Sequence, residues 1–346
     1  MVKGIIGVGL IGYGLAGRVF HAPLISAISG LMLRGIVTAD PARGAEAAAA
    51  YPDAAIHADV TAMLGDDAVD VVVVASPGPS HAPLAIQALR SGKHVVVDKP
   101  FALSLAEAEA VVAVASAMER RVLVFQNRRW DSDFLTLRKA LDDGLVGDVV
   151  HFESHLDRFR PDVVARWRED GSAGSGIWVD LGPHLVDQAL ALFGMPLAVS
   201  GDLAALRPGA ISDDWAHVVL HYADKRVILH ASVCVAGGPP RFIVHGTRGS
   251  LVKQLPDGQE PQLVAGIRPG DAEWGVDNDP LQCWDADQRI TQRRAERGGQ
   301  EAFYAAVAAM VLDNAAPPNT VEAMLAVQRI VDAAAISSRE GRVVIF

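Results

Sequence analysis

The sequence predicts a two-domain α/β chain, with a doubly wound parallel sheet followed by an α+β domain built on a mainly antiparallel sheet. Three observations predict it. At 346 residues the chain exceeds one ordinary core, since domains run to about 100–200 residues. From residue 4 to about 126, short apolar strands alternate with helical segments, the pattern of a parallel sheet covered by helices. Beyond Gly144 the strands become longer and alternate apolar with polar residues, which suits antiparallel pairing.

In order, the first strands are Ile5 to Ile11, Leu31 to Val37, Val69 to Ala75, His94 to Val97 and Val122 to Phe125. Their near-continuous valine and isoleucine suits strands buried on both faces. Helix ends are marked by Gly92, after a helix starting near His81, and by the capping box Ser104…Glu107. A helix from about Asp131 to Gly144 precedes strands at Asp148 to Phe159, His217 to Tyr222, Arg226 to Val235 and Arg241 to His245. The expected domains are therefore residues 1–126 and 127–346. Pro256 to Asp287, rich in Pro, Gly, Asp and Gln, reads as a long loop. Helical spacing returns at Glu301 to Leu312 and over about 321–338, and the last helix could pack back on the first domain.

Composition narrows the function. Half the residues are hydrophobic and 21% charged, a globular balance. The net charge of −10 has the wrong sign for a protein that grips phosphate backbones, so nucleic acid is not an expected partner. Cys234 and Cys283 form no CxxC pair, which excludes a cysteine-rich zinc site and suits a reduced compartment; no metal-ligating motif is identified. The start, Met1-Val2-Lys3-Gly4-Ile5-Ile6, lacks the features of a signal peptide, and no apolar run approaches the roughly 20 residues that span a bilayer. A cytoplasmic address without membrane partners is the expectation.

The first strand runs into Gly12-Tyr13-Gly14-Leu15-Ala16-Gly17, which opens a helix. At this spacing the first glycine permits a tight turn, the second lets backbone amides approach a pyrophosphate, and the third lets helix pack on sheet. The helix N-terminus supplies the anion site, so a nicotinamide dinucleotide is the expected cofactor. Which one stays open. Asp40, at the end of the second strand, could accept from an adenosine ribose and repel a 2′-phosphate, which tilts slightly to NAD. Asp40-Pro41 is equally an ordinary helix start, and Thr38 with Arg43 could cradle the 2′-phosphate of NADP.

Two further constellations could carry chemistry. Asp98-Lys99-Pro100 follows a strand at the carboxyl edge of the sheet, where ligands bind, and the proline there demands an extended or cis-linked backbone. Gly174-Ser175-Gly176-Ile177-Trp178-Val179-Asp180-Leu181-Gly182-Pro183-His184 is a glycine-rich approach to a helix expected to start at Pro183. His184 suits acid–base work and Asp180 could orient it, while the plainer reading makes Asp180 a helix cap.

Together with Ser76-Pro77 and His81, Asn127-Arg128-Arg129 and Gly246-Thr247-Arg248-Gly249-Ser250-Leu251, these motifs resemble the Gfo/Idh/MocA oxidoreductases over almost the whole chain. Phe20-His21-Ala22-Pro23-Leu24-Ile25, Asn127-Arg128-Arg129-Trp130-Asp131 and Ala165-Arg166-Trp167-Arg168 look most like the NADP-dependent scyllo-inositol dehydrogenase subgroup. The resemblance implies a Rossmann domain, then an α+β domain with an open-faced sheet that commonly forms a homodimer or homotetramer contact. It implies a catalytic Lys99, Asp180 and His184, with Lys99 also against cofactor and substrate. It implies cofactor contacts from Gly12, Gly14, Leu15, Ala16, Gly17, Thr38, Asp40, Arg43, Ser76, Pro77, His81, Asn127 and Arg128, and substrate contacts from Trp167 and Arg168. Asp98 replaces the family's usual Glu before Lys-Pro, and Gly78 stands where relatives often have Asn. The implied activity is hydride transfer between NAD or NADP and a secondary alcohol or ketone of a sugar, inositol or related polyol. Non-catalytic dinucleotide sensing and NAD-dependent glycoside hydrolysis, both found among such proteins, are the alternatives.

Overall fold

The computed structural model describes residues 4–346; Met1-Val2-Lys3, part of the leader reading, lies outside the described residues. The chain divides into two compact units. The first comprises residues 4–127, 259–274 and 299–325; the second comprises 128–258, 275–298 and 326–346. The first long segment ends at Asn127, beside the cut expected at 126/127, and two later segments join the first unit. The last helix runs Val321–Glu340, its first residues in the first unit and the remainder in the second.

The first unit holds six parallel strands, β1 (Ile6–Ile11), β2 (Leu31–Val37), β3 (Ala55–His57), β4 (Val71–Val74), β5 (His94–Val97) and β6 (Val122–Val124), in the order β3-β2-β1-β4-β5-β6. Connections run outward in both directions from β1, so the order reverses between β1 and β4, and ligands bind at such a switch point. All four valines of β4 are buried, each contributing about 1.5–3 kcal/mol relative to exposure. The capping box forms as expected: Glu107 N–H donates to Ser104 Oγ at 3.2 Å, and the Glu107 carboxylate accepts from Leu103 N–H at 3.1 Å. Strand β3 has no apolar run and stands exposed at the sheet edge, so no sequence pattern announced it.

The second unit holds nine strands: β7 (Val149–His155), β8 (Ala198–Ala204), β9 (Trp215–His221), β10 (Arg226–Ser232), β11 (Phe242–Gly246), β12 (Gly249–Lys253), β13 (Leu281–Asp285), β14 (Ile290–Arg293) and β15 (Val344–Ile345). Their order is β14-β13-β12-β11-β7-β10-β9-β8-β15, antiparallel except for the central parallel pair β7 and β10. One face carries the core, where Phe152, Val218, Leu229 and Phe242 meet Leu181 and Leu185 of one helix and Ile330 and Ala334 of the last. The segment expected to be a loop, Pro256 to Asp287, contains a helix, Gln259–Val264, and strand β13. Short alternation hid the strand; its pairing with β12 and β14 specifies it. Among the described residues, no helix is long and apolar enough to cross a membrane.

Candidate active site

In the first unit, β1 ends in the glycine turn and the chain enters a helix that winds as a π turn over Ala16–His21 before Ala22–Ser26. The three glycines are required for different reasons. Gly12 has φ +98°, and a Cβ there would meet Ala75 O at 2.7 Å. A Cβ on Gly17 would lie 2.0 Å from Gly12 O, so the helix could not close on the turn. A Cβ on Gly14 would meet nothing nearer than Arg43 Nη1 at 3.8 Å, so no protein atom explains the glycine. That open space fits the close approach of a dinucleotide phosphate. Gly14→Val is accordingly expected to leave the melting temperature nearly unchanged while weakening dinucleotide binding at least about tenfold, a loss of about 1.4 kcal/mol; a calorimetric titration beside a thermal melt checks both.

At the adenosine end, Asp40 caps the helix Pro41–Ala50, accepting from Ala42 N–H at 2.9 Å and Arg43 N–H at 3.3 Å through Oδ1. Its Oδ2 lies 3.3 Å from Arg43 Nε, and Thr38 Oγ1 accepts from Asp40 N–H at 3.3 Å. The three residues in question therefore form one cluster in which the carboxylate is already engaged by two amides and a guanidinium.

At the end of β5, Asp98 Oδ1 accepts from Lys99 N–H at 2.8 Å, and the Lys99–Pro100 bond is cis. Asp98 Oδ2 faces His21 Nε2 at 3.7 Å, and His21 Nδ1 meets the Tyr304 hydroxyl at 2.6 Å. Both rings are fully buried. Burial acts to raise the Asp98 carboxyl, but the His21 contact and the charges of His21, Lys99 and His81 outweigh it and hold the carboxyl below the ordinary range. Burial, aided by the charge of Asp98, holds the Tyr304 hydroxyl well above its ordinary range, so it keeps its proton beside His21. This chain fixes the backbone from which Lys99 projects. His81 also acts on that backbone: its ring nitrogens lie 2.7 Å from Pro100 O and 2.7 Å from Ser76 O, tying the loop after β4 to the loop after β5. His81, expected as a cofactor contact, is thereby a residue that positions both loops. Asn127 is buried and closes the first long segment of this unit.

In the second unit, Arg128 pairs with Asp131 at 2.9 Å, and Arg129 forms a two-pronged pair with Asp187 at 2.8 and 2.7 Å. The helix bearing Asp180 and His184 runs Ile177–Phe193, so the expected start at Pro183 is corrected by six residues. Its cap comes from far along the chain: Asp213 accepts from Ile177 N–H through its carbonyl at 2.8 Å and from Trp178 N–H through its carboxylate at 2.7 Å. Pro183 lies inside the helix. Asp180 is thus a first-turn residue and not the cap, and His184, one turn on, is buried.

Two arginines face the Asp180 carboxylate: Arg158 Nη1 at 3.4 Å and Arg168 Nε at 3.5 Å. The Arg168 guanidinium also stacks over the Trp167 ring, 4.5 Å from its centroid. The structure so brings Asp180, Arg168 and Trp167 together, and adds Arg158, which the sequence did not single out. The irregular segment carrying these arginines is fixed by buried Arg207, which donates to Arg160 O and Asp162 O at 2.9 Å each and pairs with Glu169 at 3.1 Å and Asp214 at 2.9 Å. No local pattern marks Arg207 or Asp213, since Arg207 binds Arg160, Asp162 and Glu169 and Asp213 caps Ile177, all dozens of positions away.

Residues 6–126 match the family profile described as "Oxidoreductase family, NAD-binding Rossmann fold", and residues 138–346 match "Oxidoreductase family, C-terminal alpha/beta domain". The chain is 46% identical over 305 residues to the uncharacterized oxidoreductase YdgJ of Escherichia coli, covering 87% of each. It is 35% identical over 344 residues to the scyllo-inositol 2-dehydrogenase (NADP(+)) IolW of Bacillus subtilis, covering 98% of this chain and 95% of that one. A crystal structure described as an oxidoreductase from Klebsiella pneumoniae superposes with a TM-score of 0.92 at 45% identity, over 99% of this chain and 95% of that one.

Proposed function

This chain belongs to the Gfo/Idh/MocA family of oxidoreductases, a dehydrogenase acting on CH–OH groups, and from that premise we propose that it uses NADP to oxidise a secondary alcohol of an inositol or related polyol, reversibly. The observation that carries this reading is buried His184, one helical turn after an Asp180 carboxylate flanked by Arg158 and Arg168. His184 takes the hydroxyl proton, and Asp180 supports the imidazole as it charges. Lys99, with its backbone held by Asp98, donates a hydrogen bond to the oxygen as negative charge develops. When bound, the nicotinamide supplies the hydride acceptor. The glycine turn holds the pyrophosphate on backbone amides, Gly14 leaving the room for it.

The choice of NADP rests on the Asp40 cluster. A carboxylate that selects NAD by repulsion must keep its charge exposed to the ribose; here two helix amides and Arg43 offset it. The guanidinium of Arg43 also stands 3.8 Å from the space over Gly14, within reach of a phosphate. Inositols, aldoses and their lactones, screened with both cofactors by nicotinamide absorbance, are expected to give turnover with an inositol or sugar and a higher kcat/KM for NADP. Arg43→Ala is expected to lower kcat/KM for NADP by about 10–100-fold, the worth of one charge-assisted hydrogen bond, and to leave NAD unaffected. Equal loss with both cofactors overturns the assignment of Arg43. Self-assembly belongs to the same proposal: the sheet face away from the core presents Val219, Ile228, Ile243 and Trp284, a surface suited to a second copy of the chain.

A further inference from the structure

Six of the chain's eleven histidines, His151, His155, His217, His221, His230 and His245, fall on one face of the nine-stranded sheet, the face away from the core and from the helix bearing His184. Strand alternation puts them there. On the parallel pair β7 and β10, His155 and His230 stand directly opposite, and Asp157, two residues past His155, returns to the same face. The three side chains are nearly enclosed, with 11%, 9% and 6% of their surfaces exposed for His155, His230 and Asp157.

The carboxylate of Asp157 points one oxygen at each ring. Oδ2 lies 3.7 Å from His155 Nδ1, and Oδ1 lies 3.6 Å from His230 Nε2. Both separations exceed a hydrogen bond, and His155 Nδ1 and Asp157 Oδ2 are buried with no hydrogen-bond partner, an unfavourable arrangement for polar atoms. Donor atoms bound to one ion at about 2.0–2.1 Å in a tetrahedral site stand about 3.3–3.4 Å apart. The two contacts need only close by a few tenths of an ångström to meet that spacing, and all three donor atoms already lie within 4.8 Å of one another.

The surroundings complete the pattern. His155 Nε2 lies 2.8 Å from Glu153 Oε2, and His230 Nδ1 lies 3.4 Å from His217 Nδ1. Each ring therefore has a polar partner at its outer nitrogen, while its inner nitrogen faces Asp157. Carboxylate–histidine pairs of this kind orient metal ligands. Asp157 is oriented in turn, since Oδ1 accepts from Ser232 N–H at 2.9 Å.

We propose that His155 Nδ1, His230 Nε2 and the Asp157 carboxylate bind one divalent transition-metal ion of the zinc class, with a fourth position left to water or an added ligand. Two imidazoles and one carboxylate suit zinc, cobalt(II) or nickel(II) better than calcium or magnesium, which prefer oxygen-only shells. The site lies on the sheet face opposite His184, so it is separate from the proposed chemistry and does not rest on it.

The test uses the full chain stripped with a chelator and titrated with Co2+ and Zn2+. One equivalent of Co2+ is expected to give visible d–d bands of a nitrogen–oxygen site, bleached by one equivalent of Zn2+, and Zn2+ is expected to raise the melting temperature. Asp157→Asn and His230→Gln are expected to weaken binding by about 100-fold or more, while His245→Gln, on the same face outside the cluster, leaves it unchanged. Absence of a d–d spectrum in the unsubstituted chain overturns the proposal whatever the variants do. So does binding that His245→Gln reduces as much as His230→Gln, which marks scattered surface histidines.

Discussion

His184→Asn is expected to lower kcat by about 10²–10⁴-fold, the range that a positioned general base contributes, with little change in dinucleotide affinity. The separation of effects follows from placement. His184 is buried on the helix Ile177–Phe193 of the second unit, while the glycine turn belongs to the first and keeps its geometry through contacts among its own glycines and Ala75. Asn keeps the approximate volume and a hydrogen-bonding end, so the loss reads the missing proton acceptor and not a cavity. Steady-state kinetics across pH, with a fluorescence titration of reduced cofactor, check both parts. Turnover within a factor of about two of the unsubstituted enzyme removes His184 from the role.

Arg241→Leu is expected to cost about 3–5 kcal/mol of stability, the loss typical when one partner of a buried ion pair is removed. Arg241 is nearly inaccessible and binds Asp133 at 2.9 Å, Ser154 Oγ at 2.6 Å and Gln188 Oε1 at 2.6 Å. It joins strand β7 to the helices Ser132–Asp142 and Ile177–Phe193. Leucine leaves Asp133 charged, fully buried and without its counter-ion. For a unit of roughly 180 residues the melting temperature is expected to fall by about 6–20 °C. The contrasting variant is Arg18→Ala, whose pair with Glu46 is about half exposed on both sides and contributes about 1 kcal/mol or less. Chemical denaturation of both variants measures the difference, and a loss below about 1 kcal/mol for Arg241→Leu contradicts the reading of the network as a tie between layers.

What could be read before the fold was known shares one property: it is local. The strand runs of β1, β2 and β5, the capping box at Ser104 and the spacing Gly12-x-Gly14-x-x-Gly17 each involve residues within a few positions of one another, so periodicity and turn chemistry expose them. Lys99, Asp180 and His184 are candidates by motif, which names residue types in order but does not say what holds them. The helix start shows the limit. Pro183 looked like a first helical residue because proline suits that position, yet Asp213, some 30 positions downstream, caps the chain at Ile177.

The sequence by itself determined the class of each domain and the dinucleotide turn, and it offered Lys99, Asp180 and His184 as candidates to move a proton. Only the tertiary structure decided that Asp40 is a capping carboxylate beside Arg43, that His81 braces two loops, that His21 and Tyr304 stand behind Asp98, and that Arg158 joins Arg168 at Asp180. It alone placed His155, Asp157 and His230 on one sheet face, because strands β7 and β10 are neighbours in space while more than 70 residues separate them in the chain. The reason is physical: hydrogen bonds and ion pairs act over a few ångströms, and which distant residues come within that range is set by register and burial of whole elements, quantities that no local spacing records.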